Sequence, residues 1–115
     1  MPTDPAGLLS VSVEASGEGI VVAASGELDM LTGPLLQDAL LPAVADALPG
    51  TDVRVDLAAL TFCDSSGLAV LMQAGLEART RGARLVLVSP RGPVLRVLRV
   101  SGVARLFDID DPATQ

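Results

Sequence analysis

The sequence contains no histidine, no lysine, no tryptophan and no tyrosine, and its single cysteine is Cys63. Without histidine, Ser-His and Cys-His nucleophile pairs and His-ligated metal sites are excluded. One cysteine can form neither an internal disulfide nor a thiolate zinc site within the chain. The chain therefore lacks the side chains on which most common enzyme mechanisms depend. We expect neither catalysis nor a bound metal or cofactor.

The charge balance is one-sided, with a net charge of −6 and all eight basic residues being arginine. An acidic surface repels DNA, RNA and anionic lipid, so we expect no nucleic-acid partner. The chain begins without a basic and then apolar leader, and no apolar run approaches the ~20 residues of a membrane span. The sequence therefore predicts a cytoplasmic protein that does not insert into a membrane.

Apolar periodicity and turn residues divide the chain into strands and helices in the order β-β-α-β-α-β-α, with a possible final strand. The predicted strands cover residues 9–14, 20–24, 53–57, 85–88 and 106–109. The predicted helices extend from a Thr32 cap to Leu48, from the 64–67 connection to a Gly82 C-cap, and from Pro90 to Gly102. Pro42 lies inside the first helix and predicts a kink, or two separate pieces.

This order predicts the α/β class. Strands that alternate with helices pair in parallel through right-handed crossovers, whereas the short turn after the first strand gives an antiparallel hairpin. We expect a mostly parallel sheet of four to five strands, with the hairpin at its N-terminal end and three or more helices flanking it. The 115 residues fit a single domain, residues 1–115, in which 1–7 and 110–115 look like flexible tails.

Functional groups of such sheets gather in the loops beyond the carboxyl ends of the strands. Two segments have that position, residues 26–29 and residues 62–67. The second contains Asp64-Ser65-Ser66-Gly67, which places two hydroxyl groups where a strand becomes a helix. A phosphate on Ser65 would meet the unpaired N–H groups and positive dipole of a helix start. Gly67 is expected to leave the serine accessible to another protein.

The Asp64–Gly67 segment also fits a purely structural role. Asp and Ser are preferred N-cap residues worth roughly 1 kcal/mol, and local chemistry alone favours capping over a phosphorylation site. A hydrolase nucleophile at Ser65 is disfavoured, because the chain has no histidine and no Gly-x-Ser-x-Gly elbow. A small-ligand or enzyme domain on a similar sheet lacks a P-loop, a Gly-x-Gly-x-x-Gly segment and a metal constellation.

Three segments together resemble the STAS domain, and more narrowly the bacterial anti-sigma factor antagonists, also called anti-anti-sigma factors. These are Gly26-Glu27-Leu28-Asp29, then Phe62 to Leu68, then the stretch from Ser89 to Phe107. The likeness extends from about Ser10 to Ile109, and the resemblance implies a STAS-like fold.

The resemblance also implies a function. Such antagonists bind an anti-sigma factor that is a serine kinase, which releases a sigma factor; phosphorylation then ends the binding, and a serine phosphatase restores it. The phosphoacceptor would be Ser65, and the partner-binding residues would be Asp29, Asp64, Ser66, Gly67 and Leu68. The alternative within the same fold is a non-phosphorylated structural STAS subunit of a lipid-transport or other membrane-associated assembly.

Overall fold

The computed structural model describes residues 6–17, 19–103 and 107–110. Five strands lie in the described part of the chain: β1 (Leu9–Ser16), β2 (Gly19–Leu28), β3 (Asp52–Cys63), β4 (Arg84–Val88) and β5 (Asp108–Asp110). Its helices are α1 (Gly33–Ala45), α2 (Ser65–Thr80) and α3 (Gly92–Val100). The element order predicted from the sequence is confirmed, including a final strand, which covers 108–110 rather than 106–109. Residue 106 lies outside the described part of the chain.

The strands form one mixed sheet in the order β1-β2-β3-β4-β5. The β1–β2 hairpin is antiparallel, and the pairs β2–β3, β3–β4 and β4–β5 are parallel. This arrangement confirms the predicted α/β class with its N-terminal hairpin. The carboxyl ends of β2 and β3 lie side by side, which brings together the two segments that the sequence marked as functional.

Alternation along the strands places an aliphatic core on one face of the sheet. In β3, Val53, Val55 and Leu57 are fully buried, and Val22 of β2 and Leu87 of β4 both pair with Val55 in register. All three helices contribute buried side chains to the same core cluster. Burial of this apolar area is the main term that holds the helices on the sheet.

The opposite face of the sheet carries charged side chains near its β5 edge. Arg84 forms ion pairs with Asp52 at 3.0 Å and with Asp108 at 3.1 Å, and Arg54 reaches Asp110 at 3.5 Å. These pairs join β3, β4 and the three-residue β5. Asp110, which the sequence assigned to a tail, therefore lies in a strand, whereas residues 1–5 and 111–115 lie outside the described part.

Strands β2 and β3 are longer than predicted. Residues 26–28 and 62–63, expected in loops, are strand residues: Glu27 pairs with Phe62 and Leu28 with Cys63, while Gly26 pairs with Leu60. The register shifts between Ala23 and Ser25 and again between Gly26 and Glu27, and such bulges break the alternation on which the prediction rested. Gly26 has φ +112°, and a Cβ there would collide with the Leu8 carbonyl oxygen.

Helix α1 is a single segment with Pro42 inside it, so the prediction of two separate pieces is wrong. Proline removes one N–H bond to the carbonyl of Asp38, and Asp38 is exposed, so water is available to that carbonyl. The helix ends at Ala45 rather than at Leu48. Its last turn closes through bonds from Asp46 N–H to Pro42 and from Ala47 N–H to Val44, at 3.0 and 3.1 Å.

Candidate functional site

The first part of the site is the loop between β2 and α1, which is fixed by its own side chains. Asp29 Oδ1 accepts hydrogen bonds from the backbone N–H groups of Leu31 and Thr32 at 2.9 and 3.0 Å. The Thr32 hydroxyl donates to the Glu27 carbonyl at 2.8 Å and accepts from Asp29 N–H at 2.9 Å. The half-buried Asp29 carboxylate thus orders this loop beside the end of β2.

Thr32 occupies the N-cap position of α1, as the sequence predicted, but its hydroxyl does not bond to the start of the helix. Its side chain makes no cap hydrogen bond and its backbone has φ −97° and ψ −18°, within the helical region. The hydroxyl is used by the preceding loop instead, where Thr32 is only 1% exposed. Pro34 does lie in the first turn of α1, where its missing N–H costs no helical bond.

The second part of the site is the junction of β3 with α2, where Asp64 is the only residue between strand and helix. Asp64 is the N-cap, and its Oδ1 accepts from Gly67 N–H at 3.0 Å. The structural role that local chemistry favoured for Asp64 is therefore present.

Ser65 and Ser66 occupy the first two positions of α2. Ser65 is an exposed residue and Ser66 is half-buried. Within the described residues neither backbone N–H has a hydrogen-bond acceptor, as expected for the first turn of a helix. The Ser65 hydroxyl thus lies beside two available N–H donors at the positive end of the helix dipole.

The two parts of the site are directly connected. Asp64 N–H donates to the Leu28 carbonyl at 3.2 Å, and Leu28 pairs in register with Cys63. The start of α2 is therefore fixed against the residue that precedes Asp29. The structure brings the Asp29 loop and the Ser65 junction together at the carboxyl ends of β2 and β3, as the sequence indicated.

Gly67 and Leu68 lie beneath this surface rather than on it. Both are buried, and Leu68 is 7% exposed. A Cβ on Gly67 would lie 2.7 Å from Leu28 Cγ and 2.9 Å from Cys63 Sγ. The expected reason for Gly67, access for another protein, is therefore corrected: glycine lets the first turn of α2 pack closely on the ends of β2 and β3.

Cys63 is part of this packed layer. Its side chain is 4% exposed, and burial, together with the nearby Asp64 charge, raises the pKa of the thiol to about 11. The thiol is therefore protonated at neutral pH. Among the described residues no group of three or more histidine, cysteine, aspartate or glutamate side chains has a spacing that could hold a metal ion.

Sequence reasoning missed an apolar feature of the site. Met30 and Leu31, at the tip of the β2–α1 loop, are 71% and 77% exposed, and Phe62, at the end of β3, is 44% exposed. The available signal was an apolar pair directly after Asp29, outside any strand or helix pattern. We refer to Met30, Leu31 and Phe62 as the apolar rim.

The fold and this junction can be compared with known proteins. A family model described as "Mlab, STAS domain" matches residues 11–108. The chain belongs to the STAS domain family. This membership confirms the resemblance found in the three sequence segments and places the Ser65 junction and the Asp29 loop within a known domain type.

Two similar proteins are named as anti-sigma factor antagonists. The anti-sigma-B factor antagonist of Bacillus subtilis is 28% identical over 101 residues, which cover 88% of this chain and 90% of that protein. The crystal structure of an anti-sigma factor antagonist from Mycobacterium paratuberculosis superposes with a TM-score of 0.75 at 31% identity, covering 95% of this chain and 90% of that one.

A third comparison concerns the fold alone. The unphosphorylated form of the anti-sigma factor antagonist SpoIIAA matches with a TM-score of 0.71 at 21% identity, covering 91% of each chain. The five-stranded sheet with its three described helices is therefore a STAS fold of the SpoIIAA type. No helix in the described ranges is both long and apolar enough to cross a membrane.

Proposed function

We propose that this STAS protein is a cytoplasmic, single-domain anti-sigma factor antagonist whose binding is switched off by phosphorylation of Ser65. Its partner is an anti-sigma factor with serine kinase activity, and a serine phosphatase reverses the modification. ATP and its metal belong to the kinase. The observation that carries the proposal is the exposed Ser65 at the first position of α2, beside the acidic β2–α1 loop.

Access and acceptor chemistry support Ser65 rather than its neighbour. A kinase must bring the γ-phosphate of ATP in line with the serine oxygen, and the half-buried Ser66 is less open to that approach than the exposed Ser65. A solved protein of similar fold, SpoIIAA, is described in a phosphorylated form, which supports phosphorylation of a protein with this fold. In the free protein, the N–H groups of Ser65 and Ser66 are positioned to donate to such a phosphate.

The change in charge accounts for the release of the partner. A phosphate adds about −1.5 to −2 charges at neutral pH. Asp64 precedes Ser65 directly, and Asp29 lies across the Leu28 connection, so the patch already holds two carboxylates. Covering a third anionic group with a partner costs binding energy through repulsion and desolvation, and each 1.4 kcal/mol is a tenfold loss of affinity. No refolding is needed for such a switch.

The experiment is phosphate transfer from purified kinases. Each ATP-binding anti-sigma factor encoded in the organism that produces this chain is incubated with the protein and ATP, and the product is analysed by intact mass and peptide mapping. We expect one kinase to add one phosphate, mapped to Ser65, and Ser65→Ala to remain unmodified. Ser66→Ala is the matched control, because it removes the adjacent hydroxyl, and it should still be phosphorylated.

Two results would contradict the proposal. One is transfer to Ser66 in the Ser65→Ala protein at the wild-type rate, which would move the switch to another residue. The other is the absence of transfer from every kinase in the panel, which would favour the alternative of a structural, non-phosphorylated STAS subunit in a membrane-associated assembly.

A further inference from the structure

The apolar rim exposes large apolar side chains that the β2–α1 loop does not need for its own structure. A single exposed leucine is ordinary on a protein surface, but Met30 and Leu31 are adjacent and each is more than 70% exposed. Neither belongs to the core cluster, and neither is needed to build the loop, whose hydrogen bonds use the backbone and the side chains of Asp29 and Thr32. Their exposure therefore points to a role outside the fold.

The loop holds these two side chains on a fixed backbone. Leu31 N–H is bound to Asp29 Oδ1 at 2.9 Å, and Gly33 N–H is bound to the Asp29 carbonyl at 2.8 Å. The buried Thr32 hydroxyl joins the loop to Glu27 at 2.8 Å. Ordering a flexible loop on binding reduces affinity, and a loop that is already ordered avoids that loss.

The apolar rim and Ser65 both lie at the carboxyl ends of β2 and β3. The Leu28 carbonyl, two residues before Met30, accepts from Asp64 N–H, which directly precedes Ser65. Phe62, three residues before Ser65, pairs in register with Glu27 of the neighbouring strand. The loop that carries Met30 and Leu31 therefore lies at the same end of β2 and β3 as Ser65, where a partner bound at Ser65 can reach it.

We propose that Met30 and Leu31 are the apolar anchor of the partner interface, seated in an apolar recess of the anti-sigma factor kinase while Ser65 faces its ATP site. This inference rests on the proposed function and adds the source of affinity to it. Asp29 and Asp64 supply charge beside Ser65 but little apolar area, and a few residues buried near the centre of an interface supply most of its affinity. The anchor then supplies affinity, and Ser65 supplies the switch.

A second copy of this chain is disfavoured as the occupant. Pairing two rims would bring Asp29 and Asp64 of one copy close to the same carboxylates of the other, in a protein whose net charge is −6. Like charges juxtaposed in an interface weaken binding. A partner with a neutral or basic surface around an apolar recess avoids this repulsion.

The test is calorimetric titration of Leu31→Ser and Met30→Ser into the kinase that phosphorylates wild-type Ser65, without ATP. Leu48→Ser is the matched control, because Leu48 is 68% exposed but lies in the α1–β3 connection, at the other end of the sheet. We expect each rim variant to bind at least tenfold more weakly and Leu48→Ser to bind like wild type. All three should melt like wild type, because the altered side chains are exposed.

The outcomes separate this inference from the proposed function. If Leu31→Ser and Met30→Ser bind as tightly as Leu48→Ser while Ser65 is still phosphorylated, the anchor is wrong and the function stands. Equal weakening by all three variants would also overturn the anchor. If wild type binds none of the kinases, both proposals fail. A wild-type dimer in sedimentation that Leu31→Ser dissociates would overturn the anchor in favour of self-association.

Discussion

Gly67→Ala tests whether close packing beneath Ser65 positions the start of α2. The added Cβ would lie 2.7 Å and 2.9 Å from Leu28 Cγ and Cδ2 and 2.9 Å from Cys63 Sγ, and both side chains are buried. Overpacking of this kind costs about 1–3 kcal/mol. The higher helix propensity of alanine returns about 1 kcal/mol. Because two buried groups must shift, we take the upper part of the overpacking range, about 2–3 kcal/mol, and expect a net loss of about 1–2 kcal/mol in the free energy of unfolding.

Gly33→Ala is the control for this substitution. Gly33 is also a buried glycine in the first turn of a helix, but the nearest heavy atom to its added Cβ is Val70 Cγ2 at 3.6 Å, an ordinary contact. Thermal unfolding should lower the Tm of Gly67→Ala by roughly 4–8 °C, and that of Gly33→Ala should be unchanged or slightly raised. If the two variants melt together, the argument that Gly67 sets the position of α2 is refuted.

Three further predictions concern the polar groups of the protein. Asp64→Ala should lower stability by about 1 kcal/mol in urea unfolding, whereas Asp64→Asn should keep most of the cap; equal losses would contradict the capping role. Thr32→Val should cost about 1–3 kcal/mol, because it removes two hydrogen bonds, one donated to the Glu27 carbonyl and one accepted from Asp29 N–H, and a wild-type unfolding midpoint would contradict this account of the loop. The Arg84 hydrogen bond lowers the pKa of Asp52 from 3.8, so the stability this carboxylate contributes is present above that value and lost as pH falls through its lower native pKa. Asp52→Asn should therefore be less stable than wild type at neutral pH, with the gap closing in acid; a gap that is the same at both pH values would contradict the role of the ion pair.

The sequence was informative wherever the apolar pattern was regular. Alternation in residues 9–14 and the continuous run from Ile20 gave the hairpin, and the order of strands and helices gave the parallel sheet. Gly82 closes α2 as predicted, although the C-cap itself is Arg81: Gly82 follows the cap with φ +74°, and Ala83 N–H returns to the Ala78 carbonyl at 2.9 Å. These features depend on local chemistry, which a sequence displays directly.

Features that depend on contacts between distant segments could not be predicted. The ends of β2 and β3 pair across two register shifts, so residues 26–28 and 62–63 resembled loops. Thr32 has the chemistry of a cap, but the bulged end of β2 brings the Glu27 carbonyl within reach of its hydroxyl. Gly67 suggested an open approach to Ser65, and only the position of Leu28 shows that it is a packing residue. The Asp64–Gly67 motif could therefore be identified from the sequence, whereas the packing of Leu28 beneath it could not.

In the proposed function, charge at Ser65 decides whether the partner stays bound. The most direct measurement is a calorimetric titration of the partner kinase, without ATP, against Ser65→Asp and Ser65→Asn, which have nearly the same shape and differ in charge. We expect Ser65→Asn to bind within a few-fold of wild type and Ser65→Asp to bind at least tenfold more weakly. Equal affinities for the two variants would contradict the electrostatic switch.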